Sequence, residues 1–175
     1  AILDRVGEHV DHFNAHAVEI ALGMLAQLNE RWPQEEFHRH GVWIQEMDLR
    51  EGYPLTDPAH VTLSVLTLQF TPIEYRQEIL RRVWENTEEG GVLILIEKIL
   101  GDSAQVDRMM VQRYYALKGQ NGYSPESIER KRLSLEGVLV PVTGAWNEEL
   151  LRGAGFTDVS RFWQWFNFAG WIAVR

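Results

Sequence analysis

VTLSVLTLQF, residues 61–70, is the stretch from which we predict the fold. It carries no charge, is rich in β-branched residues, begins soon after Pro58 and is closed by Pro72. An apolar run between turn signals predicts a strand buried on both faces, as in a parallel sheet covered by helices. Because open α/β sheets bind ligands at the carboxyl ends of their strands, Thr67 and Gln69 are candidate ligand-facing residues.

Composition and charge limit the class of protein. The 175 residues are 45% hydrophobic and 24% charged, which is typical of a soluble globular domain, and we predict a single domain over residues 1–175. The net charge of −8 argues against a direct nucleic-acid-binding face. The chain has no cysteine, which excludes disulfides and fits a cytoplasmic protein, and no apolar run reaches transmembrane length.

Strands and helices alternate along the chain. Apolar periodicity and turn signals predict helices over residues 1–13, 21–32, 72–86, 103–118, 126–135 and 147–152, and strands over residues 17–20, 42–47, 61–70, 92–96, 159–166 and 168–174. Thr71 and Glu74 have the spacing of a capping box at the start of one helix. The order predicts a doubly wound, Rossmann-like α/β fold, with a mostly parallel sheet and an antiparallel C-terminal strand pair.

Carboxylates follow the first two predicted strands. Glu19 ends the first strand and Asp48 follows the second. A carboxylate after an early strand of a nucleotide-binding sheet accepts ribose hydroxyls, and a second one can accept an exocyclic amine, so the pair suggests an adenosine site. The alternative is that both are ordinary acids in solvated turns.

Histidines are the candidate metal ligands. His9, His12 and His16 follow helical spacing, and His38 and His40 flank an arginine. Imidazoles on one helix face can bind zinc, but Asn14 is expected to break the helix before His16. We therefore predict no metal site and interpret these residues as solvated histidines.

The motif order resembles that of class I S-adenosylmethionine-dependent methyltransferases. The similar segments are AVEIALGML (17–25), EMDL (46–49), TLQF (67–70), the Gly90-Gly91 turn and AGF (154–156). Within that superfamily the chain is most similar to carboxy-S-adenosylmethionine synthases, in LTLQF, IEK, LLRGAGF, WQWFNFAG and above all NGYSPESIERKRLSLEGV (121–138).

This resemblance implies an activity and a cofactor. The synthases convert S-adenosylmethionine and prephenate to the carboxymethyl donor used in tRNA wobble-uridine modification. The implied cofactor is S-adenosylmethionine, carboxy-S-adenosylmethionine or S-adenosylhomocysteine. Few acid–base side chains are needed, because the protein mainly binds and orients the sulfonium.

The resemblance also implies site residues. Glu19 would hold the ribose hydroxyls and Ile20 would line the adenosine. Asp48 and Leu49 would flank the adenine, and Arg132 would grip the carboxylate of the carboxymethyl group. A guanidinium suits that last role because it binds a carboxylate through two hydrogen bonds and keeps its charge.

The chain departs from the family pattern in two places. An asparagine that contacts the cofactor in the family is replaced by Val65. The family's glycine-rich loop belongs just before residues 1–13, so we expect the loop and the first strand to lie outside the printed sequence. These departures leave open a non-catalytic cofactor-binding remnant or assembly partner. A second alternative is an ordinary small-molecule methyltransferase that shares the scaffold and uses Arg132 differently.

The C-terminal aromatic residues raise the question of a partner. They are Phe162, Trp163, Trp165, Phe166, Phe168 and Trp171. Such residues are enriched in interface cores, and a homodimer is one interpretation. The favoured alternative is that they alternate between the two faces of a covered sheet.

Overall fold

The computed structural model describes residues 13–31 and 41–175, and the chain divides into two compact units, Ala1–Thr56 and Asp57–Arg175. Most of the helix predicted over residues 1–13 lies outside the described residues, as do four of the five candidate metal-binding histidines. Each unit is described by itself.

The described part of the first unit is a strand–helix–strand arrangement. Strand β1 (Ala15–Glu19) leads into helix α1 (Leu22–Arg31), and strand β2 (Val42–Glu46) pairs with β1 in parallel. In this register Glu19 lies opposite Glu46, so both strands end at the same edge. The predicted elements at residues 17–20, 21–32 and 42–47 are confirmed to within about two residues.

The second unit holds a five-stranded mixed sheet with helices. Its elements are β3 (Ala59–Val65), a 3-10 turn (Leu68–Phe70), α2 (Ile73–Glu85), β4 (Thr87–Leu100), α3 (Ala104–Gln120), α4 (Pro125–Ser134), β5 (Val142–Thr143), α5 (Gly144–Ala154), β6 (Asp158–Trp165) and β7 (Phe168–Val174). The strand order is β3-β4-β7-β6, with β5 also pairing with β4. The β3–β4 and β4–β5 pairs are parallel, whereas β7 is antiparallel to β4 and β6. The predicted α/β class and the antiparallel C-terminal pair are confirmed.

The core of this unit lies on one face of β4 and β7. Alternate residues of β4 are buried because successive side chains of a strand point to opposite faces. The fully buried hydrophobic residues include Leu80, Leu93, Leu95, Leu151, Ala169, Trp171 and Ala173. They come from α2, α5 and the two central strands, so this face of the sheet carries the hydrophobic stabilisation of the unit.

Strand β3 corrects the prediction for residues 61–70. The strand ends at Val65, and Leu66 has a φ of 56°, which turns the chain into the 3-10 turn. Val61, Leu63 and Val65 are 55%, 46% and 42% exposed, so the expectation of burial on both faces is wrong. The reason is that β3 lies at an edge of the described sheet and pairs there only with β4.

Two further expectations are corrected. Pro72 is the N-cap of α2 and no side chain caps that end, so the predicted capping box of Thr71 and Glu74 does not form. Strand β4 covers fourteen residues and is longer than the predicted strand at residues 92–96. Gly90 and Gly91, which were expected to form a turn before it, lie within the strand. Among the described residues, no helix combines the length and the apolar character needed to cross a membrane.

Candidate functional site

Glu19 lies at the carboxyl end of β1, where its carboxylate caps the chain entering α1. Its Oε1 atom accepts hydrogen bonds from the backbone N–H groups of Ile20 at 2.9 Å and Ala21 at 2.8 Å. Within the described part of the chain, Oε2 of Glu19 makes no hydrogen bond. The side chain is therefore fixed at the strand end through one oxygen.

Asp48 lies two residues beyond the end of β2 and is held by Arg50. Its Oδ1 accepts the backbone N–H of Arg50 at 2.9 Å, and both oxygens accept from the Arg50 guanidinium Nε, at 2.9 and 2.8 Å. These bonds keep the pKa of the Asp48 carboxyl below its usual range, the side-chain bond being the largest cause. Asp48 is thus an ionised carboxylate at neutral pH.

The structure brings the two predicted carboxylate positions to the same edge of the first unit. Glu19 ends β1 opposite Glu46, and the backbone N–H of Met47 donates to the carbonyl oxygen of Glu19 at 3.2 Å. Asp48 is the next residue along. Ile20 is 52% exposed at this edge, and Leu49 is half-buried. Two carboxylates and two apolar side chains suit a nucleoside, with the acids for polar atoms and the apolar groups for rings.

The second unit presents a turn at the carboxyl end of β3. Val65 is the last residue of the strand, lies opposite Ile96 of β4, and is 42% exposed. Thr67 and Gln69, predicted as ligand-facing strand residues, belong instead to the turn that follows. Gln69 is only 4% exposed, and its Oε1 accepts the backbone N–H of Lys98 at 2.9 Å. Its side chain therefore ties the turn to β4.

Glu97, which the sequence analysis did not select, is the central group beneath this turn. It lies on β4, is 2% exposed, and accepts three successive backbone N–H groups of the turn. Burial is the largest cause that raises its pKa to about 7, against the lowering effect of these bonds and of Arg76. The sequence did contain a signal: Glu97 falls two residues after Leu95 and four after Leu93, on the buried face of the strand.

Arg76, also missed, holds the turn from α2. Its side chain is 2% exposed and donates to three carbonyl oxygens, those of Thr71 at 2.9 Å, Gln69 at 3.4 Å and Val140 at 2.7 Å. Burial lowers the pKa of this guanidinium, and the neighbouring charge of Glu97 opposes that shift. Arg76 thus links the turn to the segment that precedes β5.

A group of basic and aromatic side chains lies at the same end of β4. Lys98 is half-buried, and its pKa is lowered by burial and then by the charge of Lys118. Lys118 of α3 lies 4.8 Å from the ring centre of Tyr114, which contacts Trp165 and Phe168 edge-on. Since Phe168 pairs with Lys98 across the sheet, cationic and aromatic groups meet at the carboxyl end of β4.

Arg132 lies on α4 and is engaged by its own helix. Its Nη2 and Nε atoms donate to Glu129 at 2.7 and 2.8 Å, and Nη1 lies 3.8 Å from Glu136. The side chain is 42% exposed, and the bond to Glu129 is the first cause that raises its pKa. A surface pair of this kind is worth only about 0–1 kcal/mol, so a ligand carboxylate can compete for the guanidinium.

The described residues offer no metal centre. In residues 13–31 and 41–175, no group of three or more His, Asp or Glu side chains could hold an ion. His16 lies in β1, where its ring stacks on Trp43 with 5.0 Å between the ring centres. His9, His12, His38 and His40 lie outside the described residues.

Comparison with solved structures identifies the fold. The chain superimposes on human N-acetylserotonin methyltransferase, solved in complex with S-adenosylmethionine, with a TM-score of 0.53 and 15% identity, covering 93% of this chain and 48% of that one. The fold is therefore the Rossmann-like fold of the S-adenosylmethionine-dependent methyltransferases, as predicted.

Sequence comparison identifies particular relatives. The chain is 39% identical to the carboxy-S-adenosyl-L-methionine synthase of Methylococcus capsulatus over 152 residues, covering 87% of this chain and 62% of the relative. It is also 39% identical to the synthase of the same name from Chromohalobacter salexigens over 166 residues, covering 94% and 60%. No family model matches the chain. The predicted resemblance to these synthases is confirmed, and the chain spans about three fifths of their length.

Proposed function

We propose that the protein is an S-adenosylmethionine-utilising transferase that forms carboxy-S-adenosylmethionine, a carboxymethyl donor, since its relatives are named carboxy-S-adenosyl-L-methionine synthases. The observation that carries the proposal is the 39% identity to two such synthases over 87% and 94% of this chain. Identity at this level over nearly the whole chain supports a shared ligand as well as a shared fold. Prephenate is the second substrate in the proposal.

The side chains at this edge of the first unit suit the adenosine part of the cofactor. In the proposal the Glu19 carboxylate, fixed through Oε1, accepts the ribose hydroxyls through Oε2. The ionised Asp48 accepts the exocyclic amine of the adenine, while Ile20 and Leu49 contact the ring. The acids are preorganised because backbone N–H groups or Arg50 already hold them, which reduces the entropy lost on binding.

The second unit supplies candidate residues for binding the carboxymethyl group and for a further contact to the cofactor. Arg132 is proposed to bind the carboxylate of the carboxymethyl group by exchanging Glu129 for the ligand. Val65 takes the place of a polar contact and is proposed to contact the cofactor through its exposed methyl groups. The cofactor supplies an electrophilic sulfonium, and the chain's residues bind and orient it.

Binding of S-adenosylmethionine tests the adenosine part of the proposal. We expect the full-length protein to bind it in isothermal titration, and Glu19→Gln to weaken binding about ten- to hundredfold, because a charged acceptor of the ribose hydroxyls is lost. Glu30→Gln, on the exposed surface of α1, is the matched control and should bind as the wild type does. Equal affinity of Glu19→Gln and the control would contradict the assigned role.

An ordinary small-molecule methyltransferase is the second candidate function. It is favoured by the pairing of Arg132 with Glu129, because Arg132 must release Glu129 before it can bind a ligand carboxylate. A non-catalytic remnant is the third, and is motivated by Val65. The identity of the product formed from S-adenosylmethionine and prephenate separates the three.

The proposal extends to the cellular setting. We infer a cytoplasmic protein that acts in tRNA modification by supplying the donor, without binding the nucleic acid directly. Strand β6 carries Phe162, Trp163 and Trp165, which are 56%, 41% and 41% exposed. Such exposed aromatic side chains favour a homodimer, and a monomer mass in light scattering on the full-length protein would contradict it.

A further inference from the structure

The carboxylate of Glu97 on β4 binds the turn that follows the neighbouring strand, β3. Glu97 Oε1 accepts the backbone N–H groups of Thr67 at 3.1 Å and Leu68 at 2.8 Å, and Oε2 accepts that of Gln69 at 3.0 Å. The residues are 28 to 30 positions apart in sequence. Three successive N–H groups thus converge on one carboxylate, an arrangement that binds anions.

Burial makes this arrangement costly to keep. Glu97 is 2% exposed, and a carboxylate loses its hydration when it is buried. An apolar side chain of similar size would avoid that cost but would leave three N–H groups without an acceptor. The carboxylate is therefore needed for the conformation of the turn and contributes little to packing.

The turn itself is held in an unfavourable conformation. Leu66 has a φ of 56°, in the left-handed region that residues with a β-carbon seldom occupy. Such conformations persist where the surroundings over-determine them, and they concentrate at ligand sites. Here Glu97 holds the N–H groups, Arg76 holds the Gln69 and Thr71 carbonyl oxygens, and the Gln69 side chain is bonded to β4.

The rigid turn lies at an edge of the sheet where a ligand is expected to bind. It follows Val65 at the carboxyl end of a strand that is parallel to β4, which is the edge where open α/β sheets bind ligands. We propose that Glu97 is a positioning residue, whose buried carboxylate fixes residues 65–69 in the conformation that contacts the bound cofactor. This inference rests on the proposed function, because it takes S-adenosylmethionine as the ligand.

Two readouts on the full-length protein test the proposal. Amide hydrogen exchange measures whether the N–H groups of the turn stay protected, and isothermal titration measures the affinity for S-adenosylmethionine. Glu97→Gln keeps the size of the side chain but replaces one accepting oxygen with an NH₂ donor. The matched control is Glu148→Gln, which alters a carboxylate that accepts hydrogen bonds from Trp171 and Arg161 and none from the turn.

We expect Glu97→Gln to increase exchange at Thr67, Leu68 or Gln69 and to weaken S-adenosylmethionine binding about tenfold, whereas Glu148→Gln changes neither. Faster exchange with unchanged affinity would overturn the proposal, since Glu97 would then serve folding alone. Wild-type protein that binds no S-adenosylmethionine would overturn the proposed function together with this inference. Wild-type binding with no difference between the two variants overturns the inference alone.

A pH titration gives a measurement that does not depend on the variant folding. Because the pKa of Glu97 is raised to about 7, wild-type affinity should fall as the pH is lowered from about 8.5 to about 5.5, as the carboxylate gains a proton. Among the described residues, the charged group set against Glu97 is Arg76 from α2, whereas Lys98, its neighbour on β4, lies on the opposite face of the strand. Both remain in Glu97→Gln, so an inflection near pH 7 that persists in this variant would overturn the assignment to Glu97.

Discussion

Arg76→Met should lower the free energy of unfolding by about 3–5 kcal/mol, because it removes a buried charged donor and leaves the neighbouring buried carboxylate of Glu97 uncompensated. The guanidinium is 2% exposed and donates to the carbonyl oxygens of Thr71, Gln69 and Val140. Methionine fills similar space but donates nothing, so carbonyl oxygens lose their donor and Glu97 loses the neighbouring positive charge. Urea unfolding followed by circular dichroism measures the change.

Arg81→Met on the same helix is the control for this prediction. Arg81 is 46% exposed and pairs with Glu78 and Glu85 on the helix surface, so its loss should cost less than about 1 kcal/mol. Both substitutions lie on α2, remove one positive charge and introduce methionine, so the two variants differ in the burial of the side chain that is replaced. Similar losses for the two variants would contradict the view that Arg76 stabilises the turn through buried bonds.

Trp171→Ala should be the second severe change, with a loss of about 3–5 kcal/mol. The side chain is 0% exposed in the centre of the sheet, and its Nε1 donates to Glu148 at 3.0 Å. Alanine removes the ring contacts and leaves a cavity that the close-packed strands cannot fill. The same urea unfolding experiment measures this loss.

Two companion variants separate the ring from its hydrogen bond. Trp171→Phe keeps most of the ring and removes the bond to Glu148, so it should cost only about 1–2 kcal/mol. Trp163→Ala, at a position 41% exposed on β6, should cost about 1 kcal/mol or less. A loss for Trp171→Ala no larger than that for Trp163→Ala would show that Trp171 is not part of the core.

Local sequence patterns predicted the elements well where their cause is local. The apolar spacing of α2 is set by the helix period, so this helix was found at nearly the right residues, whereas only the central residues 92–96 of β4 were found. Glu19 and Asp48 could be selected because a position at a strand end is visible in the sequence. Their hydrogen-bond partners lie within two residues, as local motifs do.

The end of β3 could not be predicted, because its cause is distant in sequence. The chain leaves the strand at Leu66 and is held by Glu97 and Arg76, which belong to later elements. The run VLTLQF looks like a continuing strand because all of its residues except Gln69 are apolar or β-branched. Burial of the aromatic residues in β6 was overestimated for a similar reason, since exposure depends on what covers a face and the sequence alone does not show it.

The product formed from S-adenosylmethionine and prephenate tests the central claim most directly. Full-length protein should be incubated with both compounds and the products analysed by mass spectrometry, with each compound omitted in turn. The account predicts a sulfonium product in which a carboxyl group replaces one methyl hydrogen of S-adenosylmethionine, so that it is heavier by the mass of CO₂, and it forms only when prephenate is present. S-adenosylhomocysteine with a methylated acceptor, or no product from protein that binds S-adenosylmethionine, would contradict it.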